Sequence, residues 1–290
     1  MDLFLQLTLS GLTTGAIYAL VALGFVLIYK SSDVINFAQG ELLLVGAYVT
    51  YFFVAQMGLN WPLGVFLALA VAVLIGVIIE RLVLRPMIGE PIISVIMVTI
   101  GLASLMRAIV LAIWSPIPRS FPSFIPSGTV DVFGLMVSAD RLWAIGLAVA
   151  MLGIFTIFFR RSPEGIAMRA VADDQQAALS MGISVQRIFA IAWSISAVTA
   201  TIAGMLLANI VGVSGSISAL GLRVFPVVIL GGLDSIPGAI IGGIIIGLLE
   251  AWTGGYIGHG LNQVISFVVL ILILMVRPYG LFGKEIIERV

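Results

Sequence analysis

The sequence predicts an all-α polytopic membrane protein with about eight or nine transmembrane helices, some of them broken or re-entrant. Three observations predict it. The composition is 61% hydrophobic and only 10% charged over 290 residues. Apolar runs of about 20 residues recur along the whole length, each long enough to cross a hydrocarbon core roughly 30 Å thick. The runs are continuous rather than alternating, so the pattern of a membrane β-barrel is absent. Residues 1–290 therefore read as a single multi-pass transmembrane domain in contact with lipid.

In chain order the candidate spans are roughly 8–29, 41–57, 62–85, 93–114, 141–159, 188–212, 219–233, 237–252 and 261–277. The first lies in MDLFLQLTLSGLTTGAIYALVALGFVLIYK, which lacks a cationic n-region and a small-residue cleavage site, so it reads as a retained helix. VLAIW closes the fourth span and QVISFVVLILILMV forms the last. Spans 219–233 and 237–252 are short and separated only by DSIP, which suggests a broken or re-entrant pair. GAIIGGIIIG sets Gly238 and Gly242, then Gly243 and Gly247, at four-residue spacing, and Gly11 and Gly15 repeat it in the first span. Small residues so spaced let helix backbones approach closely where lipid supplies no hydrophobic drive. Tight packing without transport significance is the plain reading of both.

Lysine and arginine in the loops give the orientation. With 160–187 cytoplasmic, alternation places Lys30, Arg81, Arg85, Arg160, Arg161, Arg169, Arg187, Arg277, Lys284 and Arg289 inside, and only Arg119 and Arg141 outside. The C-terminal tail FGKEIIERV then lies in the cytoplasm. The loop at 115–140 lies outside, and its four prolines favour extended or turn conformations suited to a docking rim.

Composition also removes chemistry. Formal net charge is zero, which points to no nucleic acid partner. Cysteine is absent, so there are no disulfides and no thiolate metal sites. The single histidine, His259, lies in a loop, which leaves no histidine metal cluster and no Ser-His-Asp pattern with a nucleophile elbow. No P-loop occurs: Gly283-Lys284 lacks the upstream glycine and the following hydroxyl. No catalytic residue, metal site or bound cofactor is therefore expected in this chain.

Intramembrane polar groups are functional hypotheses by default. In SSDVINFAQGELLLVGAY, Asp33, Asn36, Gln39, Gly40 and Glu41 interrupt two apolar runs; in VFPVVILGGLDSIPGAIIGG, Pro226, Gly231, Gly232, Asp234, Ser235 and Pro237 do so. Discontinuous helices in transporters expose backbone groups to a substrate path, and such breaks must be covered by protein or water. An ordinary loop is the competing reading for each. NFAQGEL has no strong turn signal and leans towards a broken helix, whereas IPG is a good turn former. Arg107 and Arg223 are costly in their spans, and snorkelling or pairing with a carboxylate such as Glu250 is expected of them.

The chain concentrates charge in RRSPEGIAMRAVADDQQAALSMGISVQR, residues 160–187, which hold seven of its 28 charged side chains. This stretch carries helix punctuation. Ser162-Pro163 suits an N-cap with proline in the first helical position, and Glu164 favours the positive helix end. A helix through IAMRAVA would bring Ile166, Ala170 and Met168 near one face. Asp173 with Gln176 resembles a capping box for a second short helix, QAALSM, which Gly182 would end, and Ser184 can cap the next span. A solvated connector needs neither caps nor an alanine-rich face; a small preformed helix suits a groove on another protein.

EGIAMRAVADDQQAALSMGISVQRIFAIAW resembles the cytoplasmic coupling segment of ABC-importer permeases, with Ala177, Ala178 and Gly182 in the places of the ATPase-docking motif. Gln176 stands where glutamate is usual, and no Leu-Pro follows. VINFAQGELLLVGAY and VVILGGLDSIPGAIIGG resemble stretches of the high-affinity branched-chain amino acid permeases, the LivH type, in order over nearly the whole chain. Gln39 departs from relatives that carry histidine in NFAHGE.

The resemblance implies an ABC-importer permease fold in the bacterial inner membrane. It implies a second permease subunit, two cytosolic ATPases and a periplasmic or extracellular substrate-binding protein as partners. ATP and Mg would be bound by the ATPases and none by this chain. Glu164, Gly165, Met168, Arg169, Asp173, Ala177, Ala178 and Gly182 would contact the ATPases. Asn36, Phe37, Gln39, Gly40 and Glu41, with Gly231, Gly232, Asp234, Ser235 and Gly238, would line or hinge the path. The competing functions are a secondary transporter coupled to ions through Asp33, Glu41 or Glu250, an ABC permease for amides or urea, and a membrane scaffold or channel without energy coupling.

Overall fold

The computed structural model describes residues 2–122, 128–132, 135–258 and 260–283. His259 and the tail from Lys284 onward lie outside the described residues, as does part of the 115–140 loop.

The chain builds a helical bundle around its first helix. Helix α1 (Asp2–Ser32) is apolar on every side through its second half, and Tyr18 to Leu23 are at most 2% exposed. A helix hydrophobic all round suits either a protein core or lipid, and this one takes the core. It is packed by α5 (Ala139–Arg161), α8 (Val185–Val211) and α11 (Ile236–Tyr256). Helices α3 (Trp61–Ile79), α4 (Ile92–Trp114) and α12 (Asn262–Val276) turn apolar side chains outward instead, among them Phe66, Ile93, Met97 and Met275. In a bilayer these faces meet lipid or another membrane protein.

Among the described residues, six helices are long and apolar enough to cross a membrane: Leu3–Ser32, Trp61–Met87, Ile92–Trp114, Ala139–Arg161, Val185–Val211 and Ile236–Tyr256. Shorter apolar stretches at Gly215–Gly231 and Asn262–Val276 accompany them. The expected span 41–57 is α2 (Gln39–Tyr51) continued by a π-helical turn, Phe52–Gln56. The expected eight or nine spans thus divide into six long helices and three shorter apolar pieces. The expected span at 219–233 is not one helix. It is a 3₁₀ turn (Gly215–Ser218), α9 (Ala219–Arg223) and α10 (Phe225–Gly231), with Pro226 in the first turn of α10.

The glycine spacing read from the sequence becomes the main helix crossing. A Cβ on Gly247 would lie 2.5 Å from the Gly11 carbonyl and from the Gly15 backbone, and one on Gly243 would lie 2.7 Å from the Gly15 carbonyl. The two small-residue stripes therefore face each other, and α1 and α11 touch backbone to backbone. Gly242 points the other way, where a Cβ would meet the Val227 carbonyl of α10 at 2.5 Å.

The two ends of the bundle segregate as the loop charges require. At one end Lys30 donates to the Asp234 carbonyl (3.3 Å) and sits over the Phe159 ring at the end of α5. At the other, Arg119 and Val213 exchange two backbone hydrogen bonds of 2.9 Å. The 115–140 loop includes an antiparallel hairpin of β1 (Thr129–Val132) and β2 (Leu135–Ser138) beside this second end.

Candidate functional site: an intramembrane junction and a capped surface segment

The stretch after α1 re-enters the bundle rather than looping over it. Residues 33–38 are not helical, and α2 begins at Gln39 deep in the protein. Ser196 of α8 donates to Gln39 Oε1 (2.8 Å). A Cβ on Gly24 of α1 would press on Gln39, on Ser196 Oγ at 2.9 Å and on Thr199 Oγ1 at 3.0 Å. Gly24 precedes the end of α1 at Ser32 by eight residues, or about 12 Å along the axis. The start of α2 lies at that depth, so NFAQGEL forms a broken span.

Side chains satisfy the interrupted backbone, as a buried break demands. Asn36 Oδ1 accepts from the Ala38 N–H (3.0 Å), and its Nδ2 donates to Gln39 Oε1 (3.2 Å). Thr99 Oγ1 of α4 accepts from the Phe37 N–H (3.3 Å). The Phe37 ring stacks on Phe225 at 5.1 Å, which ties the break to the start of α10. Asn36 is 1% exposed and Gln39 is fully buried. Gln39, the departure noted in the sequence, thus works as a bridge between α2 and α8.

A second break meets the first. Gly40 crosses Gly221 of α9 so closely that a Cβ on Gly221 would lie 2.5 Å from Gly40 Cα. At the next residue, Glu41 Oε1 accepts from Arg107 Nε (3.0 Å) and Nη2 (2.6 Å), and the same Nη2 donates to Ser218 Oγ (2.6 Å). The partner expected for Arg107, Glu250, is engaged elsewhere: it accepts from the Tyr18 hydroxyl (2.6 Å) and from Ser266 of α12. Position decides this, since Arg107 of α4 faces α2 whereas Glu250 of α11 faces α1.

Gly231, Gly232, Asp234, Ser235 and Gly238 lie apart from this junction. They form the α10–α11 turn at the Lys30 end, where Gly231 and Gly238 pack backbone on backbone. Gly232 has φ +103, which favours glycine. Ser235 Oγ caps α11 by accepting from the Gly238 N–H (3.1 Å). Leu281 and Phe282 donate backbone N–H groups to the carbonyls of Leu230 and Gly231, so the chain after α12 closes the end of α10. This segment is a tightly packed turn, and the 36–41 break meets the Ser218–Gly221 break instead. The run SGSISALGLR, with serine and glycine inside an apolar stretch, was the signal for it.

The segment 160–187 folds as α6 (Pro163–Asp173) and α7 (Gln175–Ser180). Ser162 Oγ accepts from the Gly165 N–H (2.9 Å), and Ser184 Oγ accepts from the Arg187 N–H (3.4 Å), as expected. Gly182 adopts φ +82 where α7 ends. The cap of α7 is Asp174, not Asp173: Asp174 Oδ1 accepts from Gln176 N (2.8 Å) and Ala177 N (2.9 Å). Asp173 is still the last residue of α6, so its backbone cannot take the extended conformation of a cap.

Burial corrects the choice of outward residues. Gly165, Met168 and Ala178 face inward, and Ile166, expected beside Met168, is 54% exposed. A Cβ on Gly165 would strike the carbonyls at the end of α5. Arg169 is a tie rather than a free contact: it donates to the Phe159 carbonyl and lies over the Phe159 ring. Glu164 approaches Arg187 at 3.9 Å, and Asp173 and Ala177 are exposed. The outward apolar side chains are Ile166, Leu179 and Met181, the last 82% exposed.

Comparison with known proteins gives this arrangement a family. Residues 7–274 match the family described as branched-chain amino acid transport system, permease component. The high-affinity branched-chain amino acid transport system permease protein LivH of Salmonella typhimurium is 34% identical, over 99% of this chain and 98% of its own. BraD of Pseudomonas aeruginosa, described in the same words, is 31% identical over 99% and 98%. The probable branched-chain amino acid transport permease protein LivH of Methanocaldococcus jannaschii is 30% identical over 92% and 88%. Among solved structures, PsaBC from Streptococcus pneumoniae in complex with Fab shares the fold, with a TM-score of 0.51 over 95% of this chain and 92% of that one at 16% identity. An enclosed first helix, paired glycine stripes and a capped surface segment thus belong to a chain of known kind: it is a member of the branched-chain amino acid transport permease family.

Proposed function

We propose that this chain is the permease subunit of an ATP-driven importer for branched-chain or related hydrophobic amino acids. It pairs with a second permease subunit, two cytosolic ABC ATPases and an external substrate-binding protein. ATP and Mg belong to the ATPases, and hydrolysis occurs there. The protein sits in the bacterial inner membrane with 160–187 and the C-terminus in the cytoplasm, and the strands β1 and β2 lie on the side of the binding protein.

The observation that carries this reading is the pair α6–α7. Its helices are held by side-chain caps at Ser162 and Asp174, yet Ile166, Leu179 and Met181 remain exposed on a segment flanked by charge. Rigid helices with a few outward apolar anchors suit a groove on a motor protein. They also join α5 directly to α8, which packs on α1, α2 and α3, so a pull on the segment reaches most of the bundle. Two of the three acidic groups expected of an ion-coupled transporter are occupied by partners of this same chain: Glu41 by Arg107 and Glu250 by Tyr18 and Ser266.

The test replaces the anchors. A Leu179→Glu, Met181→Glu variant should insert normally, lose co-purification of the ATPases, and lose ATP-driven leucine uptake in vesicles supplied with binding protein. Undiminished uptake by the variant, or uptake driven by an ion gradient with no ATPase present, overturns the reading.

A further inference from the structure

The Glu41–Arg107 pair borders a cavity of about 570 Å³ between α2, α4 and α9. That volume is within the roughly 300–1,000 Å³ common for small-molecule sites. The pair is asymmetric. The Glu41 side chain is 6% exposed and Arg107 is 51% exposed at the open side. Both arginine contacts fall on Glu41 Oε1; Oε2 is buried and has no hydrogen-bond partner. A half-open arginine in the middle of a membrane helix has to face water or protein, since lipid would leave its charge unsolvated. The rest of the wall is mostly apolar, with Phe37, Ile100, Ala103, Leu111 and Leu222 beside the hydroxyls of Ser104 and Ser218.

We propose that this pair is a transit station for a zwitterionic α-amino acid, whose ammonium donates to the Glu41 carboxylate and whose carboxylate accepts from the Arg107 guanidinium. The inference rests on the amino acid reading above and goes beyond it by naming where the substrate's two charges are met. A zwitterion carries one charge of each sign, as the pair does. Opening the pair to admit it exchanges one ion pair for two and adds no net charge to a low-dielectric region. A lone acid takes Arg107 and leaves the buried Glu41 carboxylate without a partner, which is strongly unfavourable, whereas a lone amine takes Glu41 and adds a net positive charge to the site. The planar guanidinium can grip a carboxylate with two parallel N–H groups. The apolar wall takes the side chain. Closure of the pair competes with the ligand, so binding is weak and the substrate can leave, as passage requires.

The absence of native cysteine makes a direct test simple. Ser104 of α4 lines the cavity. In the assembled transporter in vesicles, Ser104→Cys is labelled with a water-soluble maleimide, with leucine, 4-methylpentanoate or 3-methylbutylamine present. Leucine should slow labelling severalfold while the acid and the amine do not. That protection should vanish when Glu41→Gln or Arg107→Gln is added. Should Ser104→Cys prove unreactive, Leu222→Cys, exposed on another wall, supplies the same readout. No protection at a reactive position overturns the station, as does equal protection by all three compounds or protection that survives both variants. ATP-driven leucine uptake by the same vesicles is read separately. Uptake without protection removes the station alone; failure of uptake removes the importer reading, whatever the labelling shows.

Discussion

Gly247→Ala adds a single methyl group at the crossing of α1 and α11, and the structure states what it meets. The new Cβ would stand 2.5 Å from the Gly11 carbonyl oxygen, from Gly15 Cα and from Gly15 N. Ordinary contacts begin near 3.4 Å, so the helices must part by roughly 1 Å. All three atoms are backbone, and no side chain can rotate away. Helix α1 cannot yield easily, because α8 and α5 pack around it. Overpacking of this kind costs about 1–3 kcal/mol. In a chain of this size each kcal/mol lowers the melting temperature by about 2–4 °C. Gly153→Ala on α5 is the control. A Cβ there meets nothing within 4 Å, and alanine is the better helix former by about 1 kcal/mol. Thermal unfolding of the detergent-purified protein should show Gly247→Ala melting several degrees below the parent and Gly153→Ala melting at or above it. If Gly247→Ala melts with the parent while Gly153→Ala falls, backbone contact is not what holds this crossing.

Two further outcomes test the local assignments. Asp174→Ala removes a cap that holds two N–H groups and should loosen α7 by about 1 kcal/mol; Asp173→Ala should not, and hydrogen exchange over 175–180 separates them. Asp33, just past the end of α1, has φ +52, a conformation that asparagine tolerates. Burial raises its carboxyl above the ordinary value of about 3.9. The folded state then binds the proton more tightly than the unfolded state, so this group costs stability as pH rises through that window and nothing below it. Asp33→Asn should therefore raise the melting temperature modestly at pH 7, and the advantage should shrink as the pH is lowered towards 4. An advantage that grows on acidification refutes the sign.

The caps and the junction differ in what they demand of the sequence. Ser162, Ser184 and Gly182 act on backbone two or three residues away, so their roles were written in the local pattern and the fold kept them. Asp173 was off by one place because the boundary between α6 and α7 depends on where the chain turns, and either aspartate could serve. The exposed anchors Ile166, Leu179 and Met181 could not be chosen from the pattern, because the inward face of α6 is set by the end of α5 beneath it. There Phe159 and Arg169 fix the rotation of the helix.

By itself the sequence determined the membrane class, the long spans, the charge asymmetry of the loops and the small-residue stripes at four-residue spacing. Each of these is a periodicity or composition that a bilayer or a helix reads directly. Tertiary structure alone decided that the stripe at Gly11 and Gly15 faces the one at Gly243 and Gly247. It also decided that the 36–41 break meets Ser218 and Gly221 instead of the 231–238 turn, and that Arg107 belongs to Glu41 and not to Glu250. Those partners are separated along the chain by 66 residues for Arg107 and Glu41 and by 111 for Arg107 and Ser218. A buried charge announces that it needs a partner. Which partner it receives depends on how the helices pack.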